Sequence, residues 1–181
     1  HGCFHGGMEQ IDREKTLLKF RNGTHQVIIA TDLASRGLDI PELKYIIHFE
    51  LPHRSEEFTH RNGRTARMNS EGTAYVLKWE NQSLPEFITK SPIEKIEKSA
   101  SLTPSEWETL FITGGRKDKI SKGDIAGLFC KQGNLSNDEI GIIELQVNCS
   151  YVAVKANKID QLLPLVHNTR LKKKKVRITK V

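Results

Sequence analysis

Three observations predict an α/β chain in two parts: a parallel sheet with helices on both faces, then a small α+β domain. Short, mostly apolar runs at 27–30 (VIIA), 45–49 (YIIHF) and 74–77 (AYVL) alternate with helix-like stretches, the pattern of strands buried on both sides. Near residue 108 the pattern restarts and reads βαββαβ. The charge changes at nearly the same place. Residues 1–113 hold 14 Lys/Arg and 16 Asp/Glu, a net of −2, whereas residues 114–181 hold 14 and 6, a net of +8.

The elements follow in order. A first helix over 10–20 places Ile11, Leu17, Leu18 and Phe20 at near-helical spacing, and Asn22-Gly23 stops it. A second helix over 55–67 opens on Ser-Glu-Glu, acidic residues suited to the positive end of a helix dipole. Pro85, Pro92 and Pro104 then punctuate short charged pieces, so residues 91–107 are predicted to connect a domain over 1–90 to one over 108–181. Within that connection Thr103-Pro104-Ser105-Glu106 predicts a helix start, Thr103 as cap and Pro104 at the first helical position. The second domain is predicted to have strands over 110–113, 140–147, 151–156 and 175–181, with helices over 124–132 and 159–167. This ferredoxin-like order serves RNA-recognition-motif domains and many unrelated small folds.

Composition narrows the classes. With 181 residues, 37% hydrophobic and 28% charged, the chain has an ordinary globular composition. No apolar stretch approaches the roughly 20 residues of a membrane span, and the first residues lack a signal-peptide layout. The chain begins without Met, as a fragment or a processed protein would. Cys3, Cys130 and Cys149 are an odd, widely spaced set without C-x-x-C, which suits a reducing cytoplasm. His1, Cys3 and His5 lack a fourth ligand, so no metal site is expected. The basic second part points to nucleic acid, against the alternative of a solvated basic face.

Two segments carry chemistry. ATDLASRGLDI, residues 30–40, follows an apolar strand and so lies at the carboxyl end of a sheet strand, where open α/β sheets bind ligands. HRNGRTAR, residues 60–67, repeats arginine at 61, 64 and 67, which share a face on a helix. Adjacent guanidiniums repel one another unless a polyphosphate or a set of carboxylates meets them. Glu56, Glu57 and other carboxylates are the alternative partners.

In this order and spacing the segments resemble motifs V and VI of the second RecA-like domain of DEAD-box RNA helicases. His5-Gly6-Gly7 followed by Gln10-x-x-Arg13 is similar to a third element of that family. Asn62 stands where the family usually has an aliphatic residue, and Ala66 where glycine is commoner. The resemblance covers residues 1–90 and implies a RecA-like sheet. It implies that Arg64 and Arg67 reach the γ-phosphate of ATP as arginine fingers, that His60 couples two RecA-like domains, and that Asp39 accepts a hydrogen bond from the ATP ribose. It also implies that Gly6, Arg13, Thr31 and Arg36 line an RNA backbone. The sequence contains no G-x-x-x-x-G-K-[ST], D-E-A-D or S-A-T segment. The family carries these in a first RecA-like domain, which also holds most of the Mg²⁺ coordination. On this resemblance the chain holds half of an ATP site and half of an RNA cleft, its partners being RNA and that first domain, with no membrane.

Residues 108–181 resemble the RNA-binding domain of DbpA-type DEAD-box helicases, through GGRKDK, GDI, Ile140-Gly141 and YVAV. The resemblance implies anchoring on structured ribosomal RNA of the large subunit during ribosome assembly. Arg116, Lys117, Lys119, Lys122, Lys175 and Arg177 are the candidate RNA contacts, with Lys172 to Lys174 beside them. Alternation turns Leu110, Ile112, Val152 and Val154 toward the helices and leaves Phe111 and Tyr151 on the open sheet face, where such domains stack bases. The aromatic signature is incomplete, with Cys149 at an aromatic position, so both rings packing under another element is the competing expectation. Outside the helicase class, a non-enzymatic RNA-binding or annealing protein is the alternative, and a DNA helicase a further one.

Overall fold

A computed structural model describes residues 1–32, 43–65, 71–89, 91–95, 97–98 and 103–181. They divide into two compact units, one of His1–Cys3, Met8–Ile29 and Thr103–Val181, the other of Phe4–Gly7 and Ala30–Leu102. The grouping of residues 8–29 with the C-terminal segment is a feature that the sequence pattern does not predict. Among the described residues no helix is long and apolar enough to cross a membrane.

The first part begins with β1 (Gly2–Phe4), α1 (Gln10–Arg21) and β2 (Ile28–Ala30). Gly2 N–H donates to Val27 O (2.9 Å) and Thr31 N–H to Phe4 O (3.2 Å), so β1 and β2 run in the same direction. α1 ends where expected: Asn22 caps it, and Gly23 takes a φ of 78° that a side chain would resist. Next come β3 (Tyr45–His48), α2 (Ser55–Asn62) and β4 (Thr73–Val76). β3 and β4 are parallel, in register from Tyr45↔Thr73 to His48↔Val76.

Two expectations fail in this part. The apolar runs are not buried on both faces. In β3, Tyr45 and Ile47 are 53% and 60% exposed while His48 is 1% exposed, because α2 covers one face only, through Phe58 against the His48 ring (4.9 Å between centroids). The helix predicted over 55–67 stops at Asn62. Gly63 closes it by donating to Thr59 O (2.8 Å), and Thr65 then bridges to Leu43 as a strand residue would.

The C-terminal segment is β5 (Trp107–Ile112), α3 (Lys122–Lys131), β6 (Ile140–Leu145), β7 (Ser150–Lys155), α4 (Ile159–Val166), a hairpin of β8 (Arg170–Leu171) and β9 (Lys174–Lys175), and β10 (Ile178–Lys180). Its sheet order is β10-β5-β7-β6, antiparallel throughout. Alternation decides which face closes. Leu110 and Ile112 of β5 and Val152 and Val154 of β7 are fully buried against Ile125 and Phe129 of α3 and Leu162 and Val166 of α4. α3 starts on Ser121, whose hydroxyl accepts from Asp124 N–H while the Asp124 carboxylate takes the Ser121 N–H, a reciprocal cap.

Two boundaries differ from the sequence pattern. Residues 103–106 form no helix. The Ser105 hydroxyl, expected to sit in a first helical turn, accepts from Trp107 N–H (3.1 Å) and lies 2.6 Å from Gly23 O, so it starts β5 three residues early. The strand predicted over 175–181 is split, because Lys172 adopts a left-handed φ of 56° and folds the lysine run into the β8–β9 hairpin.

Phe129 is fully buried under the sheet. Phe129→Ala is therefore expected to destabilise the C-terminal segment by about 3–5 kcal/mol, measured as a lower urea midpoint at unchanged slope.

Candidate functional site

In the first part the chemistry collects around α2. Arg61 grips Asp32 through both ends of its guanidinium, Nε to Oδ1 at 2.6 Å and Nη2 to Oδ2 at 2.5 Å, and donates Nη1 to Glu50 O at 2.8 Å. A planar fork on a carboxylate fixes angle as well as distance. It ties the strand end at Thr31-Asp32 to the helix that precedes Arg64. Beside it, His48 Nε2 lies 2.8 Å from Asn62 Oδ1 and Nδ1 lies 3.4 Å from Arg61 Nη1. Arg61 can only donate, so the network assigns the ring proton to Nε2, which donates to Asn62. Burial pushes the His48 imidazole below its ordinary range, and the Arg61 cation adds to this against the opposing Asn62 bond.

Among the carboxylates that were the alternative to a polyphosphate, Arg61 takes Asp32. The shared helix face is corrected: Arg64 follows the end of α2. Arg64 is half-buried, its backbone held by Arg61 O (3.2 Å) and by Leu43 N–H (3.0 Å). His60, Thr31 and Gly6 are exposed. Arg13 is half-buried on α1, and its Nε has no hydrogen-bond partner among the described residues. Arg36, Asp39 and Arg67 lie outside the described residues. The His48–Asn62 pair was not singled out from sequence, although the departure at Asn62 marked it.

In the C-terminal segment the structure brings Arg116, Lys117, Lys119 and Lys122 to one end of α3, all exposed. The turn carrying the first two is pinned to the β6–β7 loop, Arg116 N–H to Gln146 O and Lys117 N–H to Val147 O, both at 2.9 Å. Gly115 makes this possible: a Cβ there would come within 2.7 Å of backbone atoms of Gln146, Val147 and Cys149. Two lysines of the run are not simply solvated. Lys172 pairs with Asp124 (3.0 Å) and Lys174 with Asp118 (2.8 Å). The carboxylates nearest the turn are thus already neutralised, and the other cations keep an uncompensated field. Lys122 in the first turn of α3 opposes the helix dipole. Lys175 and Arg177 are exposed on the β9–β10 side.

Tyr151 corrects the stacking expectation. It is on the face predicted, with its ring 5.4 Å from Phe111, but it is only 7% exposed, and burial pushes its phenol above the ordinary range. A base cannot stack on it in this conformation.

Comparison with known proteins matches the two parts separately. Residues 1–69 match the helicase conserved C-terminal domain, and residues 109–180 match the DbpA RNA binding domain. The ATP-dependent RNA helicase DbpA of Bacillus subtilis (strain 168) is 32% identical over 207 aligned positions, covering 97% of this chain and 43% of the relative. Its namesake from Escherichia coli (strain K12) is 35% identical over 159, covering 83% and 35%. The chain belongs to the DbpA-type DEAD-box family. It spans less than half the length of either relative. The yeast DEAD-box splicing factor Prp28, a solved structure, is 40% identical over 41% of this DbpA-type chain and 16% of its own, with a TM-score of 0.40.

The reciprocal cap at α3 makes a pH prediction. The Ser121 hydroxyl, the Ser121 N–H and Lys172 hold the Asp124 carboxyl at about 2, from 3.8. A depressed pKa contributes stability above the unfolded value, lost as pH falls through the folded one. The cap is expected to hold at pH 4 and to fail between about pH 3.8 and 2. Following the Asp124 carboxyl carbon by NMR checks this, and Ser121→Ala moves the midpoint upward.

Proposed function

We propose that this chain is the part of an ATP-dependent RNA helicase that closes the nucleotide site from one side and anchors the enzyme on structured RNA. The RecA-like domain spans 1–90, the connection 91–107 and the RNA-binding module 108–181. The observation that carries the reading is the exposed cationic ridge of Arg116, Lys117, Lys119 and Lys122, whose neighbouring carboxylates Asp118 and Asp124 are already paired. Such a ridge attracts a phosphate backbone, fixing position without reading sequence. The resemblance of the module points to large-subunit ribosomal RNA during ribosome assembly as the anchor. Three free thiols suit a cytoplasmic setting.

In the first domain Gly6, Arg13, Thr31 and Arg36 are assigned to the RNA backbone. Arg64 and Arg67 are assigned to the γ-phosphate, Asp39 to the ribose and His60 to the domain interface. Arg64 fits: its backbone is fixed at both ends, and the Asp32–Arg61 fork holds the helix before it. The nucleotide with its Mg²⁺ supplies the phosphoryl group. The Mg²⁺ ligands and phosphate loop belong to the first RecA-like domain, and this chain's arginines stabilise charge on the transferring group.

Three outcomes test the proposal. With the first RecA-like domain present, Arg64→Ala or Arg67→Ala is expected to lower kcat for RNA-stimulated ATP hydrolysis by about 10³-fold or more, with a smaller loss of RNA affinity. Near-normal turnover in both variants would remove them from the site. RNA affinity of the chain is expected to fall steeply with salt, each phosphate contact adding about 0.7 to 0.9 to the log–log slope. On one preparation of the chain alone, fluorescence anisotropy is expected to register RNA binding while no phosphate is released. Turnover unaffected by adding the first domain would place the whole ATP site within these residues.

A further inference from the structure

The open face of the four-stranded sheet is covered. Thr109 of β5 and Ala153 of β7 are buried along with Tyr151, although none of them faces α3 or α4. The C-terminal end of α1, in the same compact unit, meets this face at Thr109, Trp107 and Glu144. Asn22 Nδ2 donates to Thr109 Oγ1 at 3.2 Å, and the Thr24 and Thr109 hydroxyls lie 2.7 Å apart. Arg21 Nη2 pairs with Glu144 Oε1 of β6 at 2.9 Å. Gly23 presses its backbone onto Trp107: a Cβ there would stand 3.2 Å from the indole Cδ1. Each contact joins residues at least 80 apart in sequence, and each uses matched groups: amide to hydroxyl, guanidinium to carboxylate, bare backbone to a flat ring.

We propose that this sheet face is the docking surface by which the C-terminal module is held to α1. Three observations favour α1 over a nucleic acid as occupant. The face offers hydroxyls and the Glu144 carboxylate, which attracts a cation and repels phosphate, while Lys155 beside Trp107 is already paired with Glu106 at 2.5 Å. Among the described residues, the guanidinium that meets it is that of Arg21. The left-handed Gly23 shapes the backbone that lies on Trp107. The contact is separate from the module's own core, whose buried residues all come from Leu110 to Ile178, so the segment 103–181 is expected to fold without α1. The consequence, which rests on the RNA-binding reading above, is mechanical. Arg13 and Arg21 sit eight positions apart on one helix, about 12 Å along its axis. A module clamped at Arg21 therefore holds its RNA at a set distance from the residue assigned to the RNA backbone.

The test reads docking without RNA, so its outcome is independent of whether the chain binds RNA. Trp79, 82% exposed, is replaced by Phe, leaving Trp107 as the sole tryptophan. Acrylamide quenching of Trp107 is compared in the chain and in the segment 103–181. Quenching is expected to be weaker in the chain, to rise to the segment's value in Arg21→Glu, and to return in the exchange Arg21→Glu with Glu144→Arg. Equal quenching in chain and segment would overturn the proposal, as would a rise in Arg21→Glu that the exchange does not reverse.

Discussion

Six residues of β5 pair with six of β7, from Trp107↔Lys155 to Ile112↔Ser150, and this antiparallel ladder sets everything else in the C-terminal segment. Because side chains alternate, it assigns each residue to one of two surfaces with nothing in between. Leu110, Ile112, Val152 and Val154 go to the helices and make the core. Thr109, Phe111, Tyr151 and Ala153 go to the other side. A slip of one residue would exchange the two sets and bury two hydroxyl-bearing side chains where branched aliphatics now pack. The cationic turn depends on the same ladder. Gly114 and Gly115 leave β5 at its end, and only the β6–β7 loop returning beside them supplies the carbonyls that hold Arg116 and Lys117.

The distribution of charge follows a second rule. Two lysines of the hairpin are taken up by Asp118 and Asp124, which are also the side chains that organise the backbone of the turn and the cap of α3. Each carboxylate serves local structure and removes a counter-charge from the ridge. Partly exposed pairs of this kind add little stability. Their larger effect is to keep the lysines ordered without cancelling Arg116, Lys117, Lys119 and Lys122.

What was legible in the sequence was what depends on local period and on punctuation. Alternation in FIT and YVAV predicted which side chains enter the core, and Asn22-Gly23 ended α1 where expected. The helix over 55–67 ran too long because Gly63 looked like part of a functional motif, when it also closes the helix. Residues 103–106 misled for a related reason: a serine hydroxyl that can cap a helix can equally bond the backbone at a strand entry. The pairings that organise the sites were out of reach, since Asp32 and Arg61 lie 29 residues apart and Arg21 and Glu144 lie 123 apart. Only the direction of a charge, not its partner, can be read at that range.

The buried imidazole beside Arg61 has one more consequence. His48 donates to Asn62 and turns its lone pair toward a guanidinium, so its environment suits a neutral ring in a single tautomer. Asn62 occupies a position that is usually aliphatic in the family this chain resembles. Restoring an aliphatic side chain there would strand the His48 N–H in a space closed to water, and replacing His48 alone would strand the amide. Each side chain therefore depends on the other for its hydrogen bond. A chimera whose breakpoint falls between β3 and α2 would separate the two halves of this one hydrogen bond.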